Sequence, residues 1–243
     1  MKICVLLTQY KRNHLEEQLI HIKNQTKKPD FLVVFQNENH INIENLKKKY
    51  DFIHVKSDFN TKFFGRFSYC FNIPADIFLI FDDDIIPGNK CIENYVNQCL
   101  KLNSIIGGNG RYGYLNKNNH YKFKIQGKNP LSNLKDIGIR KLTLVDFVGH
   151  LWCFKKEWLY YMFAIKPFTY DTSEDMHFCF SSKLLGNINS YYGEQLSINS
   201  CCDISMNKYA DDKFSSYKTT NSKLREGVEK YFLSKGLKLI EKN

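Results

Sequence analysis

The chain has 243 residues, of which 43% are hydrophobic and 15% aromatic. That is ample for one packed core and far from the composition of a disordered chain. With 35 Lys and Arg against 25 Asp and Glu the net charge is +10, which favours an anionic partner: a nucleoside diphosphate, an anionic lipid surface or a nucleic acid.

The opening residues 2–8 form a nearly unbroken apolar run, the pattern of a parallel strand buried on both faces. Its apolar part is too short for the core of a signal peptide, and no later segment approaches a membrane span. Residues 13–25 read as an amphipathic helix, with Leu15, Leu19 and Ile22 at helical spacing and Asn13 as N-cap. Pro29-Asp30 precedes a second strand at 31–35. A helix over 43–50, a strand at 52–55 and a helix over 64–72 follow. The strand at 76–81 is the most apolar of all and runs directly into Asp82-Asp83-Asp84. Pro87-Gly88 starts a turn, and 91–102 is again helical. This β-α-β-α-β order predicts an α/β fold with a parallel or mostly parallel central sheet flanked by helices.

The second half is less regular. Residues 105–114 carry four glycines, 116–136 read as polar loop, 142–154 as strand, 174–185 as helix and 188–192 as strand. Residues 201–221 read as a mobile tail segment, and 223–240 as a basic amphipathic helix. That helix is expected to be a solvated surface element, with contact to an anionic membrane or closure over a diphosphate as the alternatives. The expected organisation is one domain over 1–243, with a nucleotide-binding half (1–104), an acceptor-binding half (105–200) and a tail (201–243). The eight cysteines make no Cys-x-x-Cys pair, which argues against a zinc ribbon and fits a reducing, cytoplasmic setting.

Chemistry concentrates at the acidic triplet. In open α/β sheets ligands bind beyond the carboxyl ends of the strands, and the triplet stands at such an end. Strand periodicity places Asp82 and Asp84 on one side and Asp83 on the other. Three adjacent carboxylates repel one another unless a cation intervenes, and hard divalent ions such as Mg²⁺ or Mn²⁺ take oxygen ligands. The plainer alternative is an acidic turn closing a strand.

The stretch from Phe64-Gly65-Arg66 through Asp82-Asp83-Asp84 to Pro87-Gly88 resembles glycosyltransferases of the GT-A fold, a Rossmann-like nucleotide-diphospho-sugar transferase fold. It is similar to family 2-like enzymes and to the exostosin-like family 64, which carry an aspartate "DXD" triplet after an apolar strand. The resemblance covers roughly 2–195 and is strongest over 64–88 and 145–186. It implies that Asp84 is the main contact for Mn²⁺ or Mg²⁺, with Asp82 shared between metal and donor, and Asp83 and Arg66 helping to bind the donor. It also implies that the loop after the first strand, Thr8, Tyr10 and Arg12, contacts the nucleotide base and ribose. Gln36, Asn37 and Asp58 or Asn60 would complete that pocket. No Gly-x-Gly phosphate loop follows the first strand, which counts against nucleotidyl transfer.

Ser173-Glu174-Asp175 resembles the "ED" motif of the same enzymes. It implies Asp175 as the general base toward an acceptor hydroxyl, with Glu174 as its acceptor-binding partner. The competing reading of Thr172-Ser-Glu-Asp175 is a capping box at a helix start. Between the two motifs, Gly149 would admit the sugar close to the backbone, Trp152 would stack on it, and His150 would contact the diphosphate or metal. His177 has no evident role, and Asp203 is a candidate late metal ligand. The expected reaction moves a sugar from a UDP-, GDP- or dTDP-sugar to a glycan, lipid-linked or protein-linked hydroxyl, with inversion. The alternatives are nucleotidyl or phosphoryl transfer and nucleic-acid binding. Dispersed basic residues and the acidic triplet argue against the last.

Overall fold

The computed structural model describes residues 1–115, 121–126, 141–205, 208–209, 212–215 and 222–240. Four strands build its first half: β1 (Ile3–Gln9), β2 (Phe31–Asn37), β3 (Ile53–Ser57) and β4 (Ile77–Phe81). They lie parallel in the order β3-β2-β1-β4, with the apolar, largely buried β1, β2 and β4 inside and the more polar, more exposed β3 at the edge. The crossovers carry helices α1 (Leu15–Lys23), α2 (Glu44–Lys49) and α3 (Phe64–Tyr69, continued by a 3-10 turn over Cys70–Asn72). Helix α1 starts one turn-position later than expected, after His14, and Asn13 makes no cap.

Because β2 lies on one side of β1 and β4 on the other, the strand order reverses at β1. Crevices at such a switch point, at the carboxyl ends, are where open α/β sheets hold ligands. The ends meeting there are Gln9 to Arg12 and Asp82 to Asp84, with Leu7 opposite Phe81 in register.

The second half departs from the expected parallel pattern. After α4 (Cys91–Leu102) come β5 (Ile105–Leu115), β6 (Tyr121–Gln126), β7 (Thr143–Val145) and β8 (Phe147–Lys155). Strand β8 pairs antiparallel with β4 and with β5, so the sheet is mixed from this point. Helices α5 (Leu159–Ala164) and α6 (Glu174–Gly186) and the short β9 (Ser190–Tyr192) follow. The described sheet has nine strands, ordered β3-β2-β1-β4-β8-β5-β9-β7, with β6 paired to β5. The glycine-rich segment is therefore a strand. Its glycines admit a close neighbour: a Cβ on Gly107 would lie 2.1 Å from that of Val148. Residues 121–126, expected as loop, form strand β6, while 116–120 and 127–136 lie outside the described residues.

Two expectations for the tail change. Cys201, Cys202 and Asp203 are buried, tied down by Gly88 N–H donating to Cys201 O (3.0 Å) and Ile204 N–H to Ile86 O (2.7 Å). The last helix, α7 (Ser222–Ser234), is not simply solvated. Its Val228 and Phe232 are buried, and Phe232 meets His177 and Phe180 of α6 at ring distances of 5.2 and 5.5 Å. The apolar stripe that a membrane reading would use is spent on α6. All eight cysteines are buried, members of the core like small hydrophobes. Among the described residues no helix is long and apolar enough to cross a membrane.

Candidate active site

The acidic triplet leaves the strand geometry as soon as β4 ends. Asp82 N–H donates to His150 O (3.0 Å) and Ile85 N–H reaches back to Asp82 O (3.3 Å), closing a turn. Buried Gln18 of α1 donates from Nε2 to both Asp82 O and Ile85 O at 2.8 Å. Period-two alternation therefore stops at Asp82. Asp83 and Asp84 share one cation, Arg12, instead of opposing each other: Arg12 pairs with Asp83 directly and stands 3.5 Å from Asp84. Burial, then the neighbouring carboxylates, raises the Asp84 carboxyl well above its ordinary range. Asp83 is raised chiefly by burial, with Arg12 opposing.

Asp82 is held by the other arginine. Arg66, only 3% exposed, donates to Asp82 Oδ1 at 2.5 Å and to Glu174 Oε1 at 2.9 Å. A third bond, to Thr8 Oγ1 at 3.1 Å, fixes the same Nη1 that serves Asp82. Arg66 thus joins the strand-end triplet to the start of α6, across 108 residues of sequence. Its guanidinium lies over the Trp152 ring, 4.7 Å from the centroid. Trp152 is almost wholly buried, donates to Val148 O (2.9 Å) and meets Phe67 edge-on. This corrects the expected sugar-stacking role: Trp152 supports Arg66 from within the core.

Helix α6 begins without any side-chain cap bond, so the capping-box alternative is not what its acids do. Burial and Asp175 push the Glu174 carboxyl up to about 7, with Arg66 opposing. Asp175 Oδ1 accepts the Met176 amide (2.8 Å), and Oδ2 faces Gly149, 3.9 Å from where a Cβ would stand. The two residues flanking this space, His150 (φ 67°) and Ser173 (φ 65°), both adopt the left-handed region. Backbone outliers of this kind cluster at functional sites. His150 Nε2 is 3.3 Å from Asn109 Nδ2, and burial lowers its pKa.

The tail completes the enclosure. Asp203 Oδ1 accepts the amides of Ile86 (3.1 Å) and Ser205 (3.0 Å), at the exit of the triplet. Asp212 takes Arg12 in a bidentate pair, both contacts 2.8 Å.

Other expected pocket residues lie at the ends of β2 and β3. Gln36 is turned inward, donating to Ile41 O (2.6 Å) and bonding His54 (2.8 Å). Asn37 clamps the 60–62 turn through Asn60, Thr61 and Lys62. Asp58 is almost fully exposed beside Lys56. The structure brings none of these three to the triplet. Tyr10 accepts from Asn60 (2.9 Å) and packs edge-on against His40, on the rim. His177, bonded to Met162 O, is a core residue. Among the described residues no group of three or more His, Cys, Asp or Glu side chains is placed to hold a metal ion. The donor chemistry still suits a hard cation, since Asp82 and Asp84 offer oxygens only and such ions commonly use one or two carboxylates plus substrate phosphates.

No protein-family model matches the sequence, and no curated protein does. Among solved structures the crystal structure of S. aureus TarS is similar, with a TM-score of 0.51 at 15% identity over 79% of this chain and 36% of TarS. The two share a Rossmann-like α/β fold. The chain matches about a third of TarS, and at that identity the likeness carries fold alone.

Sequence reasoning missed Gln18, Asn109 and Asp212. Gln18 looks like one more polar position on an amphipathic helix, and nothing near Asp212 announces a partner 200 residues away.

Proposed function

We propose that the protein is a metal-dependent glycosyltransferase that moves a sugar from a nucleotide-sugar donor to a hydroxyl acceptor. The observation that carries this reading is Arg66, which draws Asp82 and Glu174 into one pocket at the switch point of the sheet. The fold shared with glycosyltransferases supports it.

The donor lies in the crevice between the ends of β1 and β4, with its diphosphate toward the triplet. Asp84, with Asp82, supplies the oxygen donors for Mn²⁺ or Mg²⁺, which when bound offsets the charge of the departing diphosphate. Arg66 holds Asp82 and Glu174 in place. The missing side chain at Gly149 leaves room for the sugar beside Asp175. The acceptor oxygen attacks the anomeric carbon while Asp175 takes its proton. The bond from that carbon to the diphosphate oxygen breaks, and its electron pair leaves with the nucleoside diphosphate, giving inversion. The segment from Cys201 to Ser205, with Asp212, closes one side of the pocket against water.

The test is a panel of UDP-, GDP- and dTDP-sugars with and without Mn²⁺, read as release of free nucleoside diphosphate. Asp84→Asn and Asp175→Asn are each expected to slow the release to an acceptor by roughly 10²–10⁴-fold, the range for a lost general base or metal contact. Inorganic phosphate or pyrophosphate as the product would move the reading to phosphoryl or nucleotidyl transfer. Failure of every nucleotide and nucleotide sugar to stabilise the protein would end it.

A further inference from the structure

Strand β5 carries a cation that none of the chemistry above employs. Asn109 and Arg111 are two apart on β5 and so face the same side of the sheet. Their register partners on β8 are Gly149 and Phe147. Gly149 faces Asp175, and Phe147 packs edge-on against Phe180 of α6 at 5.9 Å. Arg111 therefore emerges under α6, on the side where the first turn of that helix presents Asp175.

Helix α7 brings a second arginine to the same place. Arg225, Val228 and Phe232 stand at intervals of three and four, one stripe of a helix. Val228 and Phe232 of that stripe are buried, Phe232 against Phe180 of α6, so Arg225 extends it one turn toward the helix start. Neither Arg111 nor Arg225 enters a side-chain hydrogen bond or salt bridge among the described residues, unlike Arg12 and Arg66, which are paired with carboxylates. Burial lowers the Arg111 pKa, Asp175 raises it, and Arg225 lowers it further. Among the described residues, two neighbouring guanidiniums beside one carboxylate give an excess of positive charge in a partly desolvated place. Such an arrangement is costly unless an anion completes it.

We propose that Arg111 and Arg225 form an anion subsite on the acceptor side of Asp175, receiving a phosphate group carried by the acceptor. The guanidinium fork matches phosphate oxygens bidentately. A phosphorylated acceptor held there presents its hydroxyl to Asp175. The inference rests on the glycosyl-transfer reading for its role, while the subsite itself can be measured by binding.

The experiment compares methyl glucoside, methyl glucoside 6-phosphate and UDP as probes, by calorimetry on the full chain and on Arg111→Gln and Arg225→Gln. The wild type is expected to bind the phosphorylated glycoside at least about tenfold more tightly than the neutral one, a charge-assisted contact's worth. Each variant should erase that difference and leave UDP affinity within about twofold. Arg225→Gln, on a half-exposed helix face, keeps the test valid should Arg111→Gln fail to fold. Equal affinity for the two glycosides in the wild type overturns the subsite. Loss of UDP affinity in the variants overturns its acceptor-side assignment, because the arginines would then hold the donor's diphosphate. Failure of the glycosyl-transfer reading is read separately, from the nucleotide-sugar panel.

Discussion

The two halves of this molecule solve different problems with different sequences. The first half, through β4, is a parallel sheet whose inner strands β1, β2 and β4 are apolar and largely buried. The second half is mixed in direction, threads glycines between close strands, and spends polar residues throughout. The contrast extends to charge. Arg12 and Arg66 come from the first half, whereas Glu174, Asp175, Asp203 and Asp212 come from the second. The acidic triplet sits on the seam. Neither half is a site alone; the pocket exists where cations of one meet acids of both.

The largest effect should come from cutting that seam. Arg66→Ala leaves Asp82 and Glu174 at a buried position without their shared cation, and breaking such a pair from one side costs about 3–5 kcal/mol. Urea denaturation would read the loss as a lower midpoint at unchanged slope. A cost under about 1 kcal/mol would mean that the halves are held together elsewhere, by the β4–β8 pairing alone.

A smaller effect belongs to the second half by itself. Glu229 on α7 is buried, its Oε1 unpartnered. Burial first, then Asp146 and Glu226, raise its carboxyl to about 7, with Lys230 opposing. The folded state therefore holds this proton more tightly than the unfolded chain does. The resulting stability is complete below the ordinary carboxylate pKa of about 4.5 and is lost as pH rises through about 7. Glu229→Gln should flatten that dependence and stabilise the protein at pH 8 by about 1 kcal/mol, discounted for solvent near the helix surface. Thermal melts at pH 5 and 8 decide it: parallel curves for wild type and variant would show that the acid carries no strain.

The smallest concerns the tail's hold on the first half. The hydrogen bonds from Arg12 depress the Asp212 carboxyl. Its contribution is therefore present above the unfolded value near 3.8 and lost as pH falls. Asp212→Asn should cost only about 0.5–1 kcal/mol, because the pair is partly exposed and Arg12 keeps Asp83 and Asp84. Faster amide hydrogen exchange at 201–205, with the strands β1 to β4 unchanged, is the expected signature. Uniform acceleration would show that the tail supports the whole fold.

Legibility followed the same division. Apolar runs and helical spacing marked β1 to β4 and α1 to α4 to within a few residues, because those signals are local. The triplet and Glu174-Asp175 stood out for the same reason: adjacent acids after a strand or opening a helix are visible in a short window. Strand β5 was hidden because its glycines answer to Val148, Cys202 and Tyr192, residues far along the chain. Trp152 was misplaced because an aromatic beside Gly149 looks the same from sequence whether it walls a pocket or lies beneath one.

From its own residues the chain determined an α/β sheet with acids at one strand end, since apolar periodicity and like-charge repulsion act between neighbours. Only the tertiary structure decided which cation each acid received. Arg66 took Asp82 and Glu174, Arg12 took Asp83, Asp84 and Asp212, and Arg111 was left beside Asp175 with Arg225. Charge pairing in a desolvated pocket is settled by which side chains packing brings within a few ångströms, and that distance has no counterpart in sequence separation.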